Sequence, residues 1–302
     1  IVPLPWSVHG GFPQVGEMLY LLGWRLAGTG GAGHGAAGLL HWSAYGLTAL
    51  GLYGVVAPRW GSMAGRWAAA LWLWTPAAGL LAGTGSVDLF VTFFVLTAGA
   101  LLLDGHPGLA GLAAGLALGA KYTALLPLAG RGVALMVTRP RFAGRFVLAA
   151  ALAMSPWLVR NFLWYGNPVH PLLPHVFPAA TESLRQAAVR YTEHVAGHGE
   201  MKGIWDWLRL PWLMVFDGVR FGGGFDQWGP WPLLAPVGLL LTRTRDNIAV
   251  CVALCVLAVV VGWGATARVL RLLVPILPFI AILAVQPLAS AGPSAHGGSP
   301  AR

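Results

Sequence analysis

Charge is what this chain has least of. Of its 302 residues only 10% are Asp, Glu, Lys or Arg, while 57% are hydrophobic. A soluble domain carries about 25% charged residues, so a globule of this size lacks the polar cover that water demands. Lipid needs no such cover. Acids are scarcer than bases, ten against nineteen, for a formal net charge of +9. In a nucleic-acid-binding protein that excess gathers into a patch or stripe. Here the basic residues are spread over short loops between apolar runs, the arrangement that orients a membrane protein, which argues against a nucleic-acid partner. Cysteine is nearly absent. Cys251 and Cys255 lie four apart in an apolar run and read as small buried hydrophobes, not as a disulfide or metal site. No basic start followed by a cleavage site opens the chain, and its first residue is Ile1. It reads as a fragment that has lost its true N-terminus.

Glycine (42) and tryptophan (15) are abundant. Glycine lets membrane helices approach closely and tryptophan favours the headgroup boundary. The expected fold is all-α, a polytopic membrane bundle. Apolar stretches punctuated by Gly, Pro or Arg predict about nine hydrophobic helices, near 36–57, 67–83, 87–103, 108–120, 122–138, 145–159, 230–242, 247–264 and 269–288. Residues 13–27 (PQVGEMLYLLGWRLA) are expected to form an amphipathic helix carrying Glu17 and Arg25, suited to lying on the membrane. Residues 1–289 make one membrane domain that includes a long polar outer loop at 160–229. The Gly/Pro/Ser-rich tail 290–302 is expected to be disordered. There is no internal repeat.

Three basic turns set the orientation: Arg59 with Arg66, Arg139 with Arg141 and Arg145, and Arg243 with Arg245. With all three cytoplasmic the nine spans alternate consistently, and the span 36–57 runs from outside to inside. An odd number of earlier spans, most simply one, is then expected before it, in agreement with the expected truncation. The exceptions carry the functional signal. On this topology Lys121, Arg160, Arg268 and Arg271 lie at outer helix ends, with Asp88 and Glu17 on the same side. Ionisable groups at membrane depth are costly and face a cavity or a partner. A pocket at the outer leaflet follows, with cations suited to a phosphate and carboxylates suited to a base or a hydroxyl ligand.

The segment SPWLVRNFLWYGNPVHPLLPHVF (155–177) resembles a signature of bacterial GT-C-fold glycosyltransferases, relatives of the protein O-mannosyltransferases and the aminoarabinose transferase of lipid A. Five further segments fit in the same order. FPQVGEMLYLLG resembles the juxtamembrane helix before the second span, GSVDLFVTFF the Asp-led helix, and GLAAGLALGAKYTALL the Gly-rich helix ending in Lys. LPWLMVFDGVRF with WGPWPLLAPVGLLL, and then RVLRLLVPILPFIA, resemble later helices. The likeness runs from about Phe12 to Ala289. The first span and the outer loop that usually carries an acidic pair fall before Ile1, so the principal base is absent and an isolated fragment is expected to be inactive. The resemblance implies an inverting transfer of a glycosyl group from a polyprenyl-phosphate donor. The acceptor is a glycan, lipid or protein at the outer, periplasmic face of a bacterial cytoplasmic membrane. A divalent cation is used by some relatives, although the route needs no metal in principle.

Each candidate also has a plainer reading. Asp88 is an acceptor-orienting carboxylate or second base, or a helix cap. Glu17 is a second catalytic carboxylate, or the partner of Arg25. Lys121 holds the carrier phosphate, or snorkels to the interface beside an anchoring Tyr122. Arg268 and Arg271, three apart and hence on one helix face, form a bidentate phosphate clamp or a basic flank. Arg160 and Asn161 line the pocket or satisfy carbonyls at a helix end. Asn167 and His170 belong to the signature. His170 and His175 are two potential metal ligands without a third, and their prolines shape the loop. Residues 205–216 (WDWLRLPWLMVF) read as an interfacial helix. The rival function is a membrane transporter or flippase for a lipid-linked or small solute. Repeated halves and midplane polar residues mark that class, and neither is evident. A degenerate scaffold and a phosphate-carrier-dependent polymerase or ligase remain further alternatives.

Overall fold

The computed structural model describes residues 8–28, 30–129, 140–177, 181–199, 201, 203–222, 227–241, 247–266 and 268–289. Among the described residues it is 82% helix with no strand, and helices satisfy most of their backbone groups internally, as a lipid environment requires. The helices are α1 (Val15–Ala27), α2 (Gly31–Trp60), α3 (Ser62–Leu73), α4 (Pro76–Ala82), α5 (Asp88–Leu103), α6 (Pro107–Ala120) and α7 (Pro140–Tyr165). They continue with α8 (Glu182–Ala196), α9 (Ile204–Phe216), α10 (Leu234–Leu241), α11 (Asn247–Ala265) and α12 (Leu277–Ala284), with short 3-10 turns at Tyr122–Ala124, Trp231–Leu233 and Leu270–Ile276.

Four stretches among the described residues are long and apolar enough to cross a membrane: Gly31–Trp60, Pro140–Tyr165, Asn247–Ala265 and Leu270–Leu288. The expected count of about nine hydrophobic helices is not confirmed among the described residues. Helices α5 and α6 are apolar but short, and the predicted span 67–83 is two helices, broken at Trp74–Thr75 ahead of Pro76. Proline disfavours helix in the residue before it. The predicted helix 122–138 begins as a 3-10 turn, is helical over 125–129, and otherwise lies outside the described residues, as do Arg139, Arg243, Arg245 and the tail 290–302.

Exposed side chains carry the membrane argument. Along α7, Leu148, Leu152, Val159 and Leu163 are all more than half exposed, and along α11 Val250, Leu254 and Leu257 repeat the pattern, with Val261 just under half. Spacings of three and four put each set on one face. Apolar stripes of that length do not survive in water, and a bilayer covers them at no cost. Cys251 stands on α11 exposed and Cys255 half-buried, neither in a disulfide, which corrects the expectation that both are buried. Hydropathy does not separate lipid-facing from core-facing positions, because both are apolar.

Small residues close the bundle. A Cβ at Gly111 would lie 2.2 Å from the Phe146 carbonyl oxygen, and one at Gly115 would lie 2.5 Å from that of Ala150. Helix α6 therefore rests its backbone on α7 through a glycine pair four apart, the close approach that drives association when lipid removes the hydrophobic term. Two ends result. At one, Arg59 Nη2 meets Asp104 Oδ1 at 2.6 Å beyond the C-terminus of α5. The other, about 24 Å away along that sixteen-residue helix, holds Asp88.

Candidate functional site

Asp88 is the first residue of α5, where a carboxylate suits the helix dipole. Thr92 ties back to its carbonyl at 2.7 Å. The side chain is only 1% exposed, and both of its oxygens are taken. Lys121 Nζ donates to Oδ1 at 2.7 Å, and Arg271 Nε donates to Oδ2 at 2.8 Å. Lys121 occupies the extended residue that ends α6, and Arg271 lies in the 3-10 turn that enters α12. Three chain-distant elements thus converge on one carboxylate. Both cations keep some exposure, Lys121 at 22% and Arg271 at 41%.

Glu17 lies on α1 beside this cluster. The residue is exposed, yet protein crowds its carboxyl closely enough to raise it above the ordinary carboxylate value, against the pull of its own backbone N–H, Lys121 and Arg160. No pairing with Arg25 is formed among the described contacts; the cations that it senses are Lys121 and Arg160. Tyr20, one turn on, donates to the Ser86 carbonyl, so α1 is fastened to the approach to Asp88.

Arg160 and Asn161 have a different task. The Arg160 guanidinium donates to Gln14 Oε1 at 2.9 Å and to the Phe12 carbonyl at 2.7 Å, and it also reaches Asn161 Oδ1. Its charge lies over Trp157 and Trp164, 4.9 and 5.4 Å from the ring centroids. Asn161 Nδ2 donates to the carbonyl of Gly11 at 2.6 Å and to the Tyr122 hydroxyl at 3.0 Å. Together they staple residues 11–14 to α7 and so set where α1, and Glu17 with it, begins.

The loop after α7 is a second knot. Asn167 accepts from the Val169 N–H and donates to the Leu172 carbonyl, which closes the turn. His170 is 1% exposed, stacked on Tyr165 with centroids 4.6 Å apart, and joined to Pro171 by a cis bond. Burial pushes its imidazole down to about 4. Asn167 and His170 hold the backbone there and do not join the charged cluster.

Arg268 parts company with Arg271. Val269 between them is extended, and helical geometry begins only at Leu270, so the expected shared helix face does not exist. Arg268 instead donates to the Ala196 carbonyl at the end of α8, at 2.6 Å. Of the expected residues the structure gathers Asp88, Lys121, Arg271 and Glu17, with Arg160, Asn161 and Tyr122 as their support. Gln14, Tyr20 and the two tryptophans around Arg160 were not foreseen. Trp157 and Trp164, three before and four after Arg160, are readable in retrospect as its neighbours on one helix face. No group of three or more His, Cys, Asp or Glu among the described residues is placed to hold a metal. No family model, curated protein or solved structure matches the chain. Fold and site together define a helical membrane protein with a buried carboxylate and two cations at one end of its bundle.

Proposed function

We propose that this end of the bundle binds the phosphate of a polyprenyl-phosphate-linked sugar and transfers the glycosyl group to an acceptor at the outer face of a bacterial cytoplasmic membrane. The observation that carries it is the pair Lys121 and Arg271, fixed by the buried Asp88 and open enough to meet an anion. Loss of the sugar leaves charge on the carrier phosphate, and preorganised cations stabilise that charge without reorganising. Asp88, with both oxygens engaged, is a positioning residue for the two cations. Glu17 is the carboxylate left open to take a proton from an acceptor hydroxyl. A raised carboxyl is also the stronger base for that step.

The test uses membranes that carry the full-length protein. They are incubated with radiolabelled polyprenyl-phosphate hexose and pentose, and label is followed into glycan, lipid and protein fractions. Wild-type membranes are expected to move label and Glu17→Gln membranes to lose ~10²–10⁴ in rate. Equal transfer by both would remove Glu17 from the reaction, and no transfer of either sugar would remove the enzyme reading.

A further inference from the structure

Glu17 and Asp88 are tied to each other through one cation. Lys121 Nζ donates to Asp88 Oδ1 at 2.7 Å, and its charge also pulls on the Glu17 carboxyl, as does that of Arg160. Tyr20, one turn along α1, senses both carboxylates, but burial keeps its hydroxyl protonated and it donates to the Ser86 carbonyl. Arg271 completes the set on the second oxygen of Asp88, at 2.8 Å. Among the described residues, three cations thus accompany two carboxylates. The cluster carries one positive charge with Glu17 ionised and two with Glu17 protonated.

Transfer changes the charge of the ligand by one unit. The donor is a phosphodiester with a single negative charge. As the acceptor oxygen bonds to the anomeric carbon, the bond from that carbon to the phosphate oxygen breaks and its electron pair stays on the phosphate. What remains is a phosphate monoester, with a second pKa of about 6 and a charge of about −1.5 to −2 at pH 7. The acceptor's proton passes to a Glu17 carboxyl oxygen. A singly charged donor matches the cluster with Glu17 ionised, and a doubly charged product matches it with Glu17 protonated. An ionised Glu17 beside the product would leave net negative charge where protein already crowds the carboxyl. A neighbouring anion favours the protonated acid.

We infer that Glu17 keeps the acceptor's proton until the spent carrier leaves, so that polyprenyl phosphate binds together with one proton and departs with it. This coupling rests on the proposed transfer and adds its order of release. A ligand that takes up one proton on binding loses about ten-fold in affinity for each unit of rising pH. The donor, a monoanion, takes up none. Alkaline conditions therefore clear the product without weakening the substrate, and acidic ones hold the product in place.

The full-length protein, held in phosphatidylcholine nanodiscs, is titrated between about pH 7 and 8.5, where the monoester is mostly a dianion. The probes are polyprenyl phosphate and its methyl ester, a phosphodiester monoanion on the same lipid. Kd for polyprenyl phosphate is expected to rise about ten-fold per pH unit, while that for the methyl ester stays flat. In Glu17→Gln the neutral amide stands in for the protonated acid. Its slope is expected to vanish, and at the alkaline end it should bind polyprenyl phosphate at least about ten-fold more tightly than wild type does. A slope that persists in Glu17→Gln places the proton on the phosphate or on another group and overturns the assignment. An equal slope for the methyl ester, or no slope for either lipid, does the same. In each of these cases the carrier still binds and the proposed function stands. Binding of neither lipid at any pH defeats the carrier reading itself, and the coupling with it. Should Glu17→Gln fail to fold, the wild-type comparison of the two lipids decides alone.

Discussion

At Asp88 each carboxylate oxygen has its own cation, Lys121 on one side and Arg271 on the other, and water reaches only 1% of the side chain. Asp88→Asn removes the charge that holds both. It is expected to cost ~2–3 kcal/mol, below the ~3–5 for breaking a fully buried pair because both cations keep some contact with solvent. Thermal unfolding in detergent measures it, and an unshifted midpoint would show that the cluster is not structural. Glu17 differs in being open and raised. Since the deprotonated form accepts the proton, transfer should fall with acidification at a pH above the ordinary glutamate value of 4.5, and Glu17→Gln should flatten that limb while leaving stability within ~0.5 kcal/mol. His170 gives a stability signature. Its folded pKa of about 4 is depressed from 6.5, so its contribution is complete above pH 6.5. It is lost progressively down to about pH 4, because the unfolded chain takes up a proton that the folded one refuses. His170→Phe keeps the ring on Tyr165 and should shrink the loss of stability between those pH values; an unaltered slope would assign it to other groups.

Among the helices, sequence reading and structure agree where a long apolar run is bounded by clear breakers. The runs predicted at 36–57, 145–159 and 247–264 appear as Gly31–Trp60, Pro140–Tyr165 and Asn247–Ala265. They diverge where a local conformational choice decides. Pro76 splits one predicted span, and an extended Val269 turns Arg268 toward α8 while Arg271 reaches Asp88. Helix α8 was hidden in a stretch read as loop because its composition is polar. Its Thr181 cap, which accepts from the Leu184 N–H, and the Glu182–Arg185 pair on its first turn were legible signs. The glycine pair of α6 bears most directly on assembly. Gly115→Leu would drive a side chain into the Ala150 carbonyl, 2.5 Å from where its Cβ must stand. Its cost is expected to reach ~1–3 kcal/mol or more, since backbone cannot yield as a side chain does. A stability equal to that of wild type would mean that α6 and α7 do not touch there.

For the whole molecule, composition disclosed the membrane and the placement of charges disclosed an end. Which charges meet was not legible, because Asp88, Lys121 and Arg271 are joined by a helix packing that no local pattern encodes. Arg160 illustrates the limit: as a residue at a helix end it resembled a pocket cation, and its partners show a staple for residues 11–14. Sidedness is checked by cysteine labelling in a background with Cys251 and Cys255 replaced. Gly85→Cys is expected to react from the outside and Asp104→Cys from the cytoplasm; reaction of both from one side would refute the topology. The most direct test of the central claim is the affinity of the protein, held in nanodiscs, for polyprenyl phosphate. Lys121→Gln and Arg271→Gln are each predicted to weaken it at least about ten-fold, or ~1.4 kcal/mol, with Arg268→Gln near wild type. Undiminished affinity in the first two would mean that this cluster does not bind the carrier.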